Sequence, residues 1–311
     1  MKHLLVLLGL VALLGFAFFM HHEKKTGIND NTIEEFKTWK TKFGKKYADP
    51  DFEAHAVQVF AENMKKIQGK STMGQTQFMD LTSAEFAAKY LGYKGKKMFG
   101  GNLHKASGKA PASIDWNAKG DVQKVKDQGQ CGSCWAFSTV GSLESVDAIK
   151  GTGLGDFSEQ QLVDCSGSYG NMGCNGGLMD YGFEYVIDHG ITTESAYPYK
   201  AVDQSCKTDG GDFKISKYTD VGQGNCDDLA DAIQGQPISV AVDAESWQFY
   251  SGGIFSDCGT QLDHGVLLVA YSSDAWTIKN SWGTSWGEKG FIRLAPGNTC
   301  GLCNSASYPT I

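Results

Sequence analysis

Two cysteines three residues apart open the chemical reading of this chain. In the run Gln128-Gly129-Gln130-Cys131-Gly132-Ser133-Cys134-Trp135-Ala136-Phe137-Ser138, Cys131 and Cys134 have the spacing of a redox dithiol. Half of a structural disulfide, or a metal ligand, is another use of such a cysteine. Cys134 also stands where a helix is predicted to begin, and the positive end of a helix dipole favours the thiolate, the nucleophilic form. That placement predicts a nucleophile at Cys134. A thiol nucleophile needs a base, and only two of the seven histidines, His189 and His264, lie after residue 109. His189 precedes Gly190 at a predicted helix end, where a cation simply complements the dipole. His264, in Asp263-His264-Gly265-Val266, sits where a loop enters a buried apolar strand and is the better base. Asn280, in Lys279-Asn280-Ser281-Trp282-Gly283, ends the next strand. Two adjacent strands joined by a tight turn would bring it to the other ring nitrogen. An Asn at a strand-end turn is also common on its own account. The chemistry these groups point to is acyl transfer through a covalent thioester.

Elements must hold those residues in place. The chain has 311 residues, 41% of them hydrophobic and 20% charged, which is a globular composition and excludes a disordered or fibrous chain. Leu4–Met20 is an apolar run of signal-peptide length after Lys2 and His3, short for a membrane span, so cleavage is favoured over a retained anchor. Residues 1–109 carry 17 Lys against 10 Asp and Glu, and residues 110–311 carry 11 Lys and Arg against 25, so a segment of +7 precedes one of −14. The basic segment also lacks cysteine, whereas all nine cysteines follow it. It reads as a separate unit whose charge helps it dock on the acidic remainder. A nucleic-acid arm is disfavoured, because its lysines are interleaved with helix-forming apolar residues. Nine cysteines on a secretory route predict disulfides and leave at least one thiol over.

Within the basic segment, Thr32 and Glu35 have capping-box spacing for a helix that Gly44 ends. A second helix covers about residues 51–68, with Phe52, Ala56, Val59, Phe60, Asn63 and Ile67 on one face. Residues 74–80 read as extended, residues 83–90 as a third helix, and residues 92–110 as an exposed linker open to proteases. After that come helices over Cys134–Ile149, from the cap Ser158 to Asp164, from the cap Asn175 to His189, and from Asn225. Strands follow over Ile238–Val242, Gly265–Tyr271, Trp276–Lys279 and Gly290–Leu294. A helical half followed by a β-rich half predicts an α+β fold.

Four stretches then carry a family resemblance: QGQCGSCWAFS around Cys134, GCNGGLMDYGFEYV from Gly173, LDHGVLLVAY from Leu262 and WTIKNSWGTSWGEKGF from Trp276. The chain resembles the papain family of cysteine proteases, nearest its cathepsin L branch, over essentially all of residues 110–311 and more loosely before them. The resemblance implies a two-subdomain fold, a helical left half and a β-barrel-like right half with the active-site cleft between them, preceded by a helical propeptide. The implied division is a signal peptide over 1–20, an inhibitory propeptide over 21–109 and a mature protease over 110–311. By the same resemblance, Cys134 is the nucleophile and His264 its partner in a thiolate–imidazolium pair. Asn280 orients the ring, and Trp282 covers that contact from water. The side chain of Gln128 and the N–H of Cys134 form the oxyanion hole. The implied disulfides are Cys131–Cys174, Cys165–Cys206 and Cys258–Cys300, which removes the dithiol reading and leaves the pairing of Cys226 with Cys303 open.

Substrate contacts carried over are the backbone of Gly176 and Gly177 and a pocket of Leu178, Met179, Ala241, Leu262, Gly265 and Ser305, with Asp263 beside the base. Those side chains are apolar or small, so an apolar residue is expected two before the scissile bond. In the basic segment Phe60, Asn63, Ile67, Gly74, Phe78 and Asp80 match propeptide motifs. Phe52 and Ala56 stand where the family has Glu and Arg, and Thr76 where it has Asn, which puts the family's internal salt bridges in doubt. The family's propeptide runs backwards through the cleft and blocks it. Residues 165–174 leave no room for the long loop of family members that trim peptide ends, so an endopeptidase made as a zymogen is expected. Its partners would be peptide substrates and its own propeptide, with no cofactor or metal, no nucleic acid, no stable membrane anchor and a monomeric state. It would travel the secretory route to a lysosome or digestive vacuole, or be secreted. Two rivals are a catalytically silent relative, which would normally lack Cys134, His264 or Asn280, and a thiol oxidoreductase.

Overall fold

The computed structural model describes residues 28–94, 100–108, 113–151, 153–208 and 210–311. The apolar run at 4–20 lies outside the described residues. Among them, no helix is long and apolar enough to cross a membrane. They form two compact units. One holds the residues up to Lys70 with Gln77–Thr82; the other holds Ser71–Thr76 and the residues from Ser83 to Ile311. The described residues between Ser83 and Gly108 belong to the second unit.

The smaller unit is built on helices α1 (Asp30–Lys42) and α2 (Pro50–Ile67). Asn29, not Thr32, caps α1: its side chain accepts from the Thr32 N–H at 2.8 Å. Asp49 caps α2, with Pro50 in the first turn where its missing N–H costs nothing. Phe36, Trp39 and Phe60 interlock with ring centroids 5.4–5.6 Å apart and are at most 1% exposed. Phe52 is 69% exposed, so the packed face of α2 starts a turn later than the sequence periodicity placed it. Buried Asn63 donates from Nδ2 to the carbonyls of Met79 (3.1 Å) and Leu81 (2.8 Å), which fastens the returning segment to α2. The ion pairs put in doubt by Phe52 and Ala56 have other members. Lys40 meets Glu53 at 2.5 Å, and Asp80 binds both Lys45 (3.0 Å) and the Tyr47 hydroxyl (2.8 Å).

The larger unit has a helical half and a sheet half. Its helices are α3 (Ser83–Tyr90), α4 (Cys134–Ile149), α5 (Glu159–Cys165), α6 (Met179–His189) and α7 (Cys226–Ala232). Ser158 and Asn225 cap α5 and α7 through their side chains, as their sequence contexts suggested. Asn175 does not cap α6. It ends a short 3₁₀ turn over Gly173–Asn175, and α6 begins four residues later after Leu178. The reason is Gly176, whose φ of 118° breaks the helical path. Helix α4 has little amphipathic character because it is buried nearly all round, between α5 and α6 on one side and the sheet on the other.

The sheet has nine strands: β1 (Asn102–Leu103), β2 (Ile114–Asp115), β3 (Lys217–Asp220), β4 (Ile238–Val242), β5 (Ile254–Phe255), β6 (His264–Tyr271), β7 (Trp276–Lys279), β8 (Phe291–Leu294) and β9 (Ala306–Thr310). Their order is β1-β3-β9-β4-β6-β7-β8-β5, with β2 beside β6, so the path is open at β1 and β5. Strands β4, β6 and β7 form its antiparallel centre. Register sets Ala241 opposite Gly265 and Val242 opposite His264, while β7 enters with Lys279 opposite Leu267. Two of the sequence expectations fail here. Residues 74–80 are not one extended piece: 77–80 turn, while 74–76 form no regular element, with the Gly74 N–H on the Phe249 carbonyl at 2.8 Å and the Thr76 hydroxyl on that of Gln248 at 2.6 Å. The stretch 92–110 is not simply an exposed linker, since its described residues supply β1 and a close approach to the loop before α4.

Four disulfides use eight of the nine cysteines: Cys131–Cys174, Cys165–Cys206, Cys226–Cys303 and Cys258–Cys300. The Cys226–Cys303 bridge is the one the sequence left open. It ties α7 to the turn before β9 across 77 residues. Cys134 is the free thiol.

Candidate active site

With Cys131 tied to Cys174, no dithiol remains beside Cys134. Cys134 is the first residue of α4 and is fully buried. The N–H of Gly265, the residue after His264, reaches its Sγ at 3.4 Å. Gly265 must lack a side chain, because a Cβ there would lie 3.2 Å from the Trp135 backbone and 3.0 Å from the Met179 sulfur. So β6 can slide against the start of α4, which brings the His264 backbone up to the thiol.

His264 is buried, and its Nε2 lies 2.8 Å from the Asn280 Oδ1. With Nε2 so held, the proton on it is fixed by Asn280. Nδ1 has no hydrogen-bond partner among the described residues. Trp282 stacks over the imidazole with centroids 4.7 Å apart, and Trp247 meets it edge-on at 6.2 Å. These rings keep water from the His264–Asn280 contact. Gln128 donates from Nε2 to the carbonyls of Cys131 (2.9 Å) and Tyr90 (3.1 Å), while the Ser281 hydroxyl donates to its Oε1 at 2.7 Å. Ser281 thus fixes which end of the Gln128 amide faces the site, a role the sequence reading missed.

The chain's own residues 86–94 cover the site. Phe86 of α3 packs edge-on against Trp282 at 5.1 Å. The segment beyond α3 then runs as an added strand. Tyr93 pairs with Gly177 in parallel: the Gly177 N–H donates to the Gly92 carbonyl at 2.9 Å and the Lys94 N–H to the Gly177 carbonyl at 3.2 Å. The Tyr93 N–H donates to the Asp263 carbonyl at 2.9 Å. Gly92 passes so close to the loop before α4 that a Cβ would sit 1.9 Å from the Gly132 carbonyl oxygen. The Tyr93 side chain is 7% exposed and clusters with Leu178, Met179, Ala241 and Leu262, its hydroxyl 2.9 Å from Ser305 Oγ. Gly176 flanks the same strand, with Lys94 within 3.1 Å of its would-be Cβ. Tyr90, Gly92 and Tyr93 were not singled out from the sequence. The signal available was a small residue, Gly92, between large ones in an otherwise loose stretch.

Burial sets the charges. It pushes the Cys134 thiol up to about 11, against the pull of the N–H groups of Gly265, Gly92 and Trp135. Burial pushes His264 down to about 4, partly offset by the Asn280 bond. Burial thus disfavours the charged form of both groups while the site is covered. Burial also pushes the Asp263 carboxyl up to about 7, although the Ala244 N–H donates to it at 2.8 Å. Beneath Asn280, Lys126 bridges the buried carboxylates of Glu144 and Glu159 at 2.8 Å each, beside a cavity of about 20 Å³ that Lys279 also lines. That is room for one water.

Comparison with known proteins gives the chain a family. The family described as papain family cysteine protease matches residues 110–310, and the cathepsin propeptide inhibitor domain matches residues 36–86. Cathepsin L 2 of Paramecium tetraurelia is 42% identical over 313 residues, covering 96% of this chain and 99% of that one. Among solved structures, a digestive procathepsin L 3 from the larval midgut of Tenebrio molitor superposes with a TM-score of 0.83 at 41% identity, covering 91% of this chain and all of that one. A recombinant stem bromelain precursor gives 0.83 at 35% identity, covering 91% of this chain and 99% of its own.

Proposed function

From the premise that the chain belongs to the papain family of cysteine proteases and is a cathepsin L-like enzyme carrying its inhibitory propeptide, we propose that Cys134, His264, Asn280 and Gln128 are the catalytic residues of an endopeptidase. The observation that carries this reading is a free thiol opening α4, touched by Gly265 and followed in space by the 2.8 Å His264–Asn280 pair. The thiol gives its proton to His264 and attacks the scissile carbonyl. The Gln128 Nε2–H and the Cys134 N–H receive the oxyanion, and each such donor is worth about 2.7–4 kcal/mol. His264 returns the proton to the leaving amine, and water hydrolyses the thioester. The two N–H donors of Gln128 now spent on Tyr90 and Cys131 support this role, since the Tyr90 carbonyl occupies a place a substrate oxygen would take.

Substrate would lie along Gly176 and Gly177, between Asp263 and Trp282. The pocket of Leu178, Met179, Ala241, Leu262, Gly265 and Ser305 would take the residue two before the cut. Tyr93 filling that cluster supports an apolar or aromatic preference. On fluorogenic peptides the acid-processed enzyme is expected to cleave Leu, Phe or Val at that position at least about tenfold faster than Asp, because a carboxylate there would be desolvated without a partner. A flat profile across the panel would overturn the pocket assignment. The propeptide is taken as residues 21–109 and the protease as 110–311, on the secretory route to an acidic organelle or outside the cell. Four disulfides support that route.

Acid release has a stated sign. Burial holds covered His264 at about 4, so a ring that uncovering rehydrates takes up a proton that the covered ring refuses. That contribution weakens the cover as pH falls. Asp263 works oppositely. Raised to about 7 from 3.8, it favours the covered form as pH falls. Asp263→Asn removes that opposition, and self-processing of the full chain between pH 6.5 and 4 should then rise more steeply with acid, by up to about a hundredfold at pH 5. An unchanged or flatter profile would refute the opposition assigned to Asp263.

A further inference from the structure

The described residues of the stretch after Lys94 make a second, separate attachment to the protease part, far along the sheet from Cys134. Strand β1 pairs in parallel with β3, Asn102 opposite Thr219 and Leu103 opposite Asp220. The His104 N–H donates to the Asp220 carbonyl at 2.7 Å, and the Gly101 N–H to the Asp220 carboxylate at 3.0 Å. Side chains then close a clasp. His104 Nδ1 lies 3.0 Å from the Tyr308 hydroxyl, and Nε2 lies 3.0 Å from Asp231 on α7. The side chains of this His104–Asp231 pair are only 9% and 12% exposed. Ser107 donates to the same carboxylate from its N–H at 3.0 Å and from its hydroxyl. His104 and Ser107 hold the Asp231 carboxyl below its ordinary range. Ahead of the strand, Gly100 and Gly101 pass close to Tyr218: a Cβ on Gly100 would lie 2.5 Å from its hydroxyl and one on Gly101 2.7 Å from its ring.

We propose that the β3 edge, with Tyr218, Asp220, Asp231 and Tyr308, is a peptide-binding exosite of the protease part that takes an extended Gly-Gly-x-x-His stretch. In the uncut chain its occupant is residues 100–108. Backbone pairing gives the attachment its strand geometry. The two glycines are selected by close approach to Tyr218, and the imidazole by a hydroxyl on one nitrogen and a carboxylate on the other. Thr219, Asp220, Asp231 and Tyr308 all belong to the protease part, so removal of 100–108 would leave the β3 edge with the same recognition groups in place. The inference needs no part of the catalytic assignment, and its test can fail independently of it.

The test uses the full-length Cys134→Ala chain, which cannot cut itself, and trypsin cleavage after Lys105. A backbone tied on both sides of Lys105 must open locally before trypsin can stretch it. Gly101→Val, on the segment, and Asp231→Ala, on the exosite, are each expected to speed that cut about tenfold or more while leaving cleavage after Lys37 unchanged. Gly101→Val leaves the protease sequence intact, so its effect cannot come from misfolding there. In trans, a labelled peptide of residues 100–108 is expected to bind the processed enzyme by fluorescence anisotropy. Its His104→Ala form should bind about tenfold more weakly, and kcat/KM of Asp231→Ala enzyme on short peptides should stay unchanged. Equal trypsin rates in parent and both variants, or no difference between the two peptides, would overturn the exosite.

Discussion

Cys134→Ala should lose about 10⁶-fold in peptide cleavage, the scale seen when a covalent enzyme loses its nucleophile. The full-length variant should also stay uncut when acidified. Added wild-type enzyme should still trim it to mature size, which separates lost chemistry from lost folding. Alkylation gives the companion result. Cys134 is fully buried and its thiol pushed up to about 11, so iodoacetamide should leave the uncut chain unmodified at neutral pH. After processing, one equivalent should label Cys134 and abolish activity, because the other eight cysteines are paired. Residual cleavage above about one per cent in Cys134→Ala would end the nucleophile assignment.

Tyr93→Ala should make the uncut chain leak. Tyr93 buries an aromatic ring among Leu178, Met179, Ala241 and Leu262 and shares a hydrogen bond with Ser305. Truncating a buried aromatic typically costs about 3–5 kcal/mol, or about 10²–10³-fold in the covered-to-open ratio. The backbone bonds of Gly92, Tyr93 and Lys94 do not depend on the ring, so the segment should still dock, only more weakly. The measurement is the fraction of the full-length chain that reacts with a peptide-based thiol probe at neutral pH, read against Phe52→Ala. Phe52 is 69% exposed and should change nothing. A Tyr93→Ala chain as inert as its parent would mean that the ring does not hold the cover. The two effects separate cleanly, because Cys134→Ala removes chemistry from an intact cover and Tyr93→Ala removes cover from intact chemistry.

The amino-acid sequence by itself supplied the groups proposed to react. Cys134 announced itself by opening a helix, His264 by being the better placed of two histidines after residue 109, and Asn280 by closing the next strand. These are local signals: a cap, a period, a short strand pair, each written in neighbouring residues. Ser158 and Asn225 were legible for the same reason, since a cap needs only the N–H groups two or three residues on. Where local signals competed, the sequence misplaced elements. Thr32 with Glu35 and Asn175 both look like caps, but Asn29 stands three residues before Thr32, and Gly176 turns the chain away from Asn175.

What only the tertiary structure decided are contacts between residues far apart in the chain. The pairing of Cys226 with Cys303 spans 77 residues, the Gln128–Tyr90 bond joins a loop to the end of α3, and the β1–β3 pair reaches more than a hundred residues ahead. No periodicity encodes such contacts, because each depends on shape on both sides at once. Tyr93 is the sharpest instance. In the sequence it is one large residue in a loose, lysine-rich stretch. In the fold, a glycine before it and an apolar cluster around it bury its ring among Leu178, Met179 and Ala241.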